Sequence, residues 1–193
     1  MVSAAGSLPP VRPPAHRPWV IAHRGASAAF PENTLEAFRA AAAMGADAVE
    51  LDVRRSADGV PLVHHDAVVP GVGPLVSFTA EDLRRRAPRL PTLEEALAAC
   101  AGMWVNVEIK NSPADPDWDP ADRLVEAVLA RLPGKADREG VLLSSFNPLT
   151  LARARALAPG LTTGYLLDRP VSPGVAVGAA LQSGHATLLP RAS

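Results

Sequence analysis

The chain has 193 residues, of which 48% are hydrophobic and 20% charged, and its formal net charge is -1. Such a length and balance describe one ordinary globular domain with enough apolar residues for a sizeable core. A charge so close to neutral gives no bulk attraction for DNA, RNA or anionic lipid, which disfavours nucleic-acid partners and leaves any bound phosphate to local groups. Residues 1–17 carry prolines at positions 9, 10, 13 and 14 and lack the apolar stretch of a signal peptide, so they read as a disordered, proline-rich tail ahead of a domain over 18–193. No stretch reaches the roughly 18 uninterrupted apolar residues of a membrane span, and a cytoplasmic location is the default expectation. The single cysteine, Cys100, lies in an apolar run and reads as a small buried hydrophobe; neither an intrachain disulfide nor a CxxC motif is available.

From Trp19 onward, WVIAHRG predicts a short buried strand entering a glycine turn, and NTLEAFRAAAAMG predicts a helix. Asn33 is placed to cap that helix with Glu36 three residues on, and Gly45 stands where a C-terminal capping glycine belongs. DAVELDVRRS predicts the second strand, and DGVPLVHHD comes next as a turn and a further extended run. Residues 67–91 look irregular, with a short helix in FTAEDLRRR, and read as an insertion. PTLEEALAAC predicts a helix, MWVNVEIK a strand, and PADRLVEAVLARL a helix behind an acidic loop. VLLSSF, NPLTLARARALA, LTTGYLL, the weakly helical PGVAVGAALQSG and ATLLP complete six strands and about as many helices. This β-then-α alternation implies parallel strands joined by right-handed crossovers, in an open doubly wound sheet or a closed barrel.

A parallel strand covered on both faces is normally a continuous apolar run. Two strands here are not. In AVELDV, side chains alternate, so Val49, Leu51 and Val53 share one face while Glu50 and Asp52 share the other. In WVNVEIK, the same alternation sets Val105, Val107 and Ile109 against Asn106, Glu108 and Lys110. Trp19, Ile21 and His23 lie together on the first strand, with Arg24 entering the loop. Unpaired ions inside a sheet would cost several kcal/mol each, which a bound cation and a charged substrate would offset. Carboxylate oxygens without a cysteine suit Mg²⁺ or Ca²⁺, and Glu50, Asp52 and Glu108 are the expected metal ligands. The competing structural reading pairs these acids with Arg24, Arg54, Arg55 and Lys110. His16 and His185 read as solvated bystanders, whereas His23, His64 and His65 end the extended runs that carry or succeed the site; of the adjacent pair, only one can easily face the metal.

HRG at 23–25, PENT at 31–34, ELD at 50–52, HHD at 64–66, PTLEEAL at 91–97, EIK at 108–110 and SSF at 144–146 stand in order and at plausible spacing. In these motifs the chain resembles the glycerophosphodiester phosphodiesterase family, over almost all of its length from His23 to Pro190. The resemblance implies an α/β fold, a (β/α)₈ TIM barrel truncated after about six strands, because ATLLPRAS stands where the family continues through two more. It implies hydrolysis of a small-molecule glycerophosphodiester to sn-glycerol 3-phosphate and an alcohol, with a divalent metal, Mg²⁺ or Ca²⁺, on Glu50, Asp52 and Glu108. It also makes His23 and His65 the acid and base pair, selecting His65 over His64, and Arg24 and Lys110 the phosphate-binding cations. Where the family usually shows an arginine and threonines after HHD, this chain reads AVVPGVGPLVSF. Two alternative readings are a catalytically inactive barrel-like module that dimerises or binds through open edges, and a phospholipase-type phosphodiesterase acting on a lysophospholipid. No protein partner is indicated.

Overall fold

In the computed structural model, residues 17–132, 140–167 and 187–190 are described, with positions 172, 174, 175, 177 and 178 between them. The expected tail before Arg17, His16, His185 and two thirds of PGVAVGAALQSG lie outside the described residues. In chain order the elements are β1 (Ile21–His23), α1 (Leu35–Ala43), β2 (Ala48–Arg55), β3 (Pro61–Val63), the short β4 (Val68–Val69) and β5 (Gly73–Pro74), a 3₁₀ turn (Leu75–Ser77) and α2 (Ala80–Arg86). Next come α3 (Leu93–Ala99), β6 (Trp104–Ile109), α4 (Arg123–Leu129), β7 (Val141–Ser145), α5 (Pro148–Leu157), β8 (Thr162–Leu167) and β9 (Thr187–Pro190).

The strands β1, β2, β6, β7, β8 and β9 lie side by side in that order, each parallel to its neighbours. They form a curled half-barrel with helices on its outer face, the predicted α/β barrel architecture carried through six strands. The outer face is the apolar parity read from the sequence. Val49, Leu51, Val53, Val105, Val107, Ile109, Val141 and Leu143 all join one core with Phe38 and Ala41 of α1, Leu93, Ala96 and Leu97 of α3, Leu124, Val125 and Val128 of α4, and Ala154 of α5. Burying each of the larger side chains stabilises the layer by about 1.5–3 kcal/mol. Cys100 is buried in that core, as expected.

The run after the Asp58–Gly59 turn is not another barrel strand. It folds back as β3, antiparallel to the end of β2, with Arg54 opposite Leu62. The insertion packs Val69, Leu75 and Leu83 against Leu62 of β3 in a second, small cluster. Two cap assignments differ in outcome. Gly45 ends α1 with a φ of 81°, as its position required. The N-cap of α1, however, is Thr34, whose hydroxyl accepts from the Ala37 N–H, and not Asn33. A reciprocal capping box does occur, at Thr92 and Glu95 of α3.

Candidate active site

The strand register stacks the polar inner face in rows. His23 is level with Glu50 and Asn106; Asp52 is level with Glu108 and Ser144. His23 is the last residue of β1 and Glu108 the next to last of β6, so the rows lie toward the C-terminal ends of those strands, where barrel loops converge. Oxygens of Glu50, Asp52 and Glu108 come within 4.8 Å of one another, and all three residues are buried. Glu50 Oε1 is buried without a hydrogen-bond partner, while Glu50 Oε2 accepts from the Arg24 N–H at 3.1 Å.

Two cations meet this cluster. Lys110 Nζ lies 3.0 Å from Asp52 Oδ1 and also contacts Glu108 Oε1; Arg24 Nε is 3.2 Å from Asp52 Oδ2, with its Nη1 donating to Glu32. The acids therefore do pair with Arg24 and Lys110, while the other two arginines turn elsewhere. Arg54 reaches Asp117 at 2.6 Å and Arg55 approaches Asp119 at 3.9 Å. Three carboxylates face two cations, so full ionisation would leave the cluster a surplus of negative charge. Burial, then Asp52 and Glu108, push the Glu50 carboxyl up to about 8. Burial likewise raises Glu108 against the pull of Lys110. Burial opposes ionisation of Asp52 too, but Lys110, the Asn33 amide and Arg24 outweigh it and hold Asp52 below the usual carboxylate range.

His23 Nε2 is 3.7 Å from Glu50 Oε2, with 68% of its side chain exposed. Burial of the rest of the ring, then the Arg24 charge, lowers its pKa. His65 lines a cavity of about 270 Å³ together with Glu108 and Lys110, and its Nδ1 sits 2.7 Å from an Asp66 carboxylate oxygen. The His64 ring instead turns its Nδ1 to the Asp66 carbonyl.

Two further residues belong here. Asn33 donates from Nδ2 to Asp52 Oδ2 at 2.8 Å and accepts from the Asp52 N–H at 3.3 Å, at a φ of 56°. Arg54 donates from Nε to the His65 carbonyl at 2.7 Å. The signal for Arg54 was its parity, since it shares the inner face of β2 with Glu50 and Asp52. The signal for Asn33 was masked by its usefulness as a cap.

The family model of the glycerophosphoryl diester phosphodiesterase family matches residues 23–185. A glycerophosphodiester phosphodiesterase of Caldanaerobacter subterraneus subsp. tengcongensis is 34% identical over 164 residues, 76% of this chain and 65% of that protein. Glycerophosphodiester phosphodiesterase 1 of Bos taurus is 42% identical over 104 residues, so that the aligned part spans 45% of this chain and 31% of the relative. Among solved structures, an Oleispira antarctica phosphodiesterase in complex with the product sn-glycerol-3-phosphate aligns with a TM-score of 0.76 at 28% identity, covering 90% of this chain and 74% of that one. The glycerophosphodiester phosphodiesterase of Thermotoga maritima aligns with a TM-score of 0.74 at 29% identity, covering 91% and 74%.

Proposed function

The chain belongs to the glycerophosphoryl diester phosphodiesterase family, and from that premise we propose that it hydrolyses glycerophosphodiesters to sn-glycerol 3-phosphate and an alcohol. The observation that carries the reading is the buried Glu50, Asp52 and Glu108 cluster, with oxygens within 4.8 Å of one another and Arg24 and Lys110 against it. Hard oxygen donors and the orphaned Glu50 Oε1 fit a divalent cation such as Mg²⁺ or Ca²⁺. Glu50, Asp52 and Glu108 would hold it, and when bound it supplies Lewis-acid charge to a phosphoryl oxygen.

The chain's own residues supply the remainder. Arg24 and Lys110 neutralise charge that builds on the phosphoryl oxygens in the transition state. His23, with its lowered pKa, suits the neutral base that takes a proton from the neighbouring glycerol hydroxyl as that oxygen attacks phosphorus. The P–O bond to the alcohol breaks, and the departing oxygen takes a proton from His65, whose Nδ1 faces the Asp66 carboxylate. Water then opens the cyclic phosphate as the two histidines exchange roles.

Glycerophosphocholine hydrolysis with added Mg²⁺ or Ca²⁺, with and without EDTA, tests the scheme. Turnover requires the cation; full activity in EDTA rejects the metal. Separate His23→Ala and His65→Ala variants should each lose roughly 10²- to 10⁴-fold in kcat. Activity within a few-fold of the parent removes that histidine from the scheme.

A further inference from the structure

Strand parity turns Arg55, the last residue of β2, to the opposite face of the sheet from Glu50, Asp52 and Arg54. On that side a separate cavity of about 300 Å³ is lined by Arg55, Ala57, Asp58, Gly59, Arg123 and Leu124. It lies between the turn that follows β2 and the start of α4, and it shares no lining residue with the space beside His65 and Lys110.

Arg55 makes no hydrogen bond among the described residues, although its side chain is only 19% exposed. Its ion-pair partner, Asp119, stands with Oδ2 3.9 Å from Arg55 Nε, beyond hydrogen-bond reach. The reason is that Asp119 is already saturated. Its Oδ1 accepts from the Ala121 N–H at 3.1 Å and from Arg123 Nη2 at 3.3 Å; its Oδ2 accepts from the Arg123 N–H at 3.2 Å and from Arg123 Nε at 2.9 Å. A carboxylate offers about four lone-pair sites, and these donors fill them. Arg55 therefore keeps its N–H donors for whatever enters the cavity.

Arg123, with its side chain 70% exposed, brings a second guanidinium, whose Nη1 has no hydrogen bond among the described residues. Asp58, the acid in the lining, directs its Oδ1 to the Ser56 hydroxyl and to the Ala80 N–H on the α2 side. Two planar forks with open donors match a ligand that offers several acceptor oxygens at once. A carboxylate answers one fork, whereas a phosphate group presents oxygens to both.

We propose that this cavity is a second anion site, outside the catalytic centre, which binds a phosphate group through Arg55 and Arg123. That group is free phosphate or a monoester of a small alcohol, of which sn-glycerol 3-phosphate is an example. The assignment stands independently of the hydrolase reading.

The test titrates the isotope-labelled 193-residue chain with inorganic phosphate, with sn-glycerol 3-phosphate and, as a control, with sodium chloride at matched ionic strength, read by heteronuclear NMR. The Arg55 Nε–H and the Gly59 amide shift saturably with phosphate and not with chloride, while the Arg24 Nε–H reports the catalytic centre separately. Tighter binding of sn-glycerol 3-phosphate identifies a monoester as the occupant; equal or weaker binding identifies free phosphate. In Arg55→Gln and in Arg123→Gln, the dissociation constant read at the Gly59 amide rises roughly tenfold. No saturable shift at Arg55 and Gly59, or a constant in Arg55→Gln equal to the parent's, overturns the proposal. Where Arg55→Gln loses the folded spectrum, Arg123→Gln decides: weaker binding supports the site and parent-like binding overturns it.

Discussion

Asn33 stands at a left-handed φ of 56°, a conformation that asparagine tolerates better than most residues, and both ends of its amide grip Asp52. The hydrogen bond it gives to a buried carboxylate is worth about 1.5–3 kcal/mol. Asn33→Ala should lose about that much stability in urea denaturation, together with affinity for the divalent cation measured by calorimetry. Asn33→Gly keeps the backbone free to adopt the positive φ but cannot donate, so it should lose nearly as much. Parent-like stability in the glycine variant would assign the effect to backbone strain instead. The inner-face positions of Glu50, Asp52, Glu108 and Lys110 were legible because strand side chains alternate whatever the tertiary context. The role of Asn33 was not. Asn33 and Thr34 are both competent caps, and the choice between them is made by Asp52, 19 residues further along, with which Asn33 is engaged.

The connection from β1 to α1 is a tight turn that presents two site residues at once. Arg24 and Gly25 both have positive φ, 60° and 83°, and the Arg24 carbonyl accepts from the Asn33 N–H at 3.0 Å. A Cβ on Gly25 would stand 2.8 Å from the backbone carbon of Ala37, so α1 would have to move away from β1. Gly25→Ala should destabilise the fold by about 2–4 kcal/mol, adding left-handed strain to overpacking, and should lower activity by displacing Arg24. Urea denaturation and steady-state kinetics check the two effects separately. Punctuation of this kind was readable where it is local: Gly45 after α1, Pro91 and Thr92 before α3. The antiparallel return of β3 was only half readable. Asp58–Gly59 marked a turn, but its pairing depends on which side of β2 was already taken by β6.

At the scale of the whole molecule, the half-barrel surrounds a charge cluster whose cost depends on pH. Without a cation, the Glu50 carboxyl sits near 8 against its ordinary 4.5, so the folded state holds that proton more tightly than the unfolded chain does. The contribution is fully present below about 4.5 and is lost as pH rises through about 8. Asp52 works in the opposite direction only below 3.8, and His23, lowered by burial and by Arg24, only below its ordinary 6.5, so neither offsets the loss above that pH. In EDTA, Tm should therefore fall between about pH 6.5 and 8, and Mg²⁺ should restore most of it at the upper end, where Glu50 is free to bind. A Tm in EDTA that is flat over this range would reject the assignment. The alternation of six strands and the helices covering their outer face were legible as pattern, and parity already grouped the acids of two strands; the curl was implied only by the family resemblance, because it arises from strand twist and register, which the residue pattern leaves open between an open sheet and a barrel. Within that sheet, β2 carries Glu50 and Asp52 and is hydrogen-bonded by β1 on one side and by β6 and β3 elsewhere along its length. Its amides should therefore be among the last to exchange with solvent, which hydrogen exchange would read. The spacing of the two carboxylates on β2 is thus set by the most cooperative part of the fold rather than by a loop.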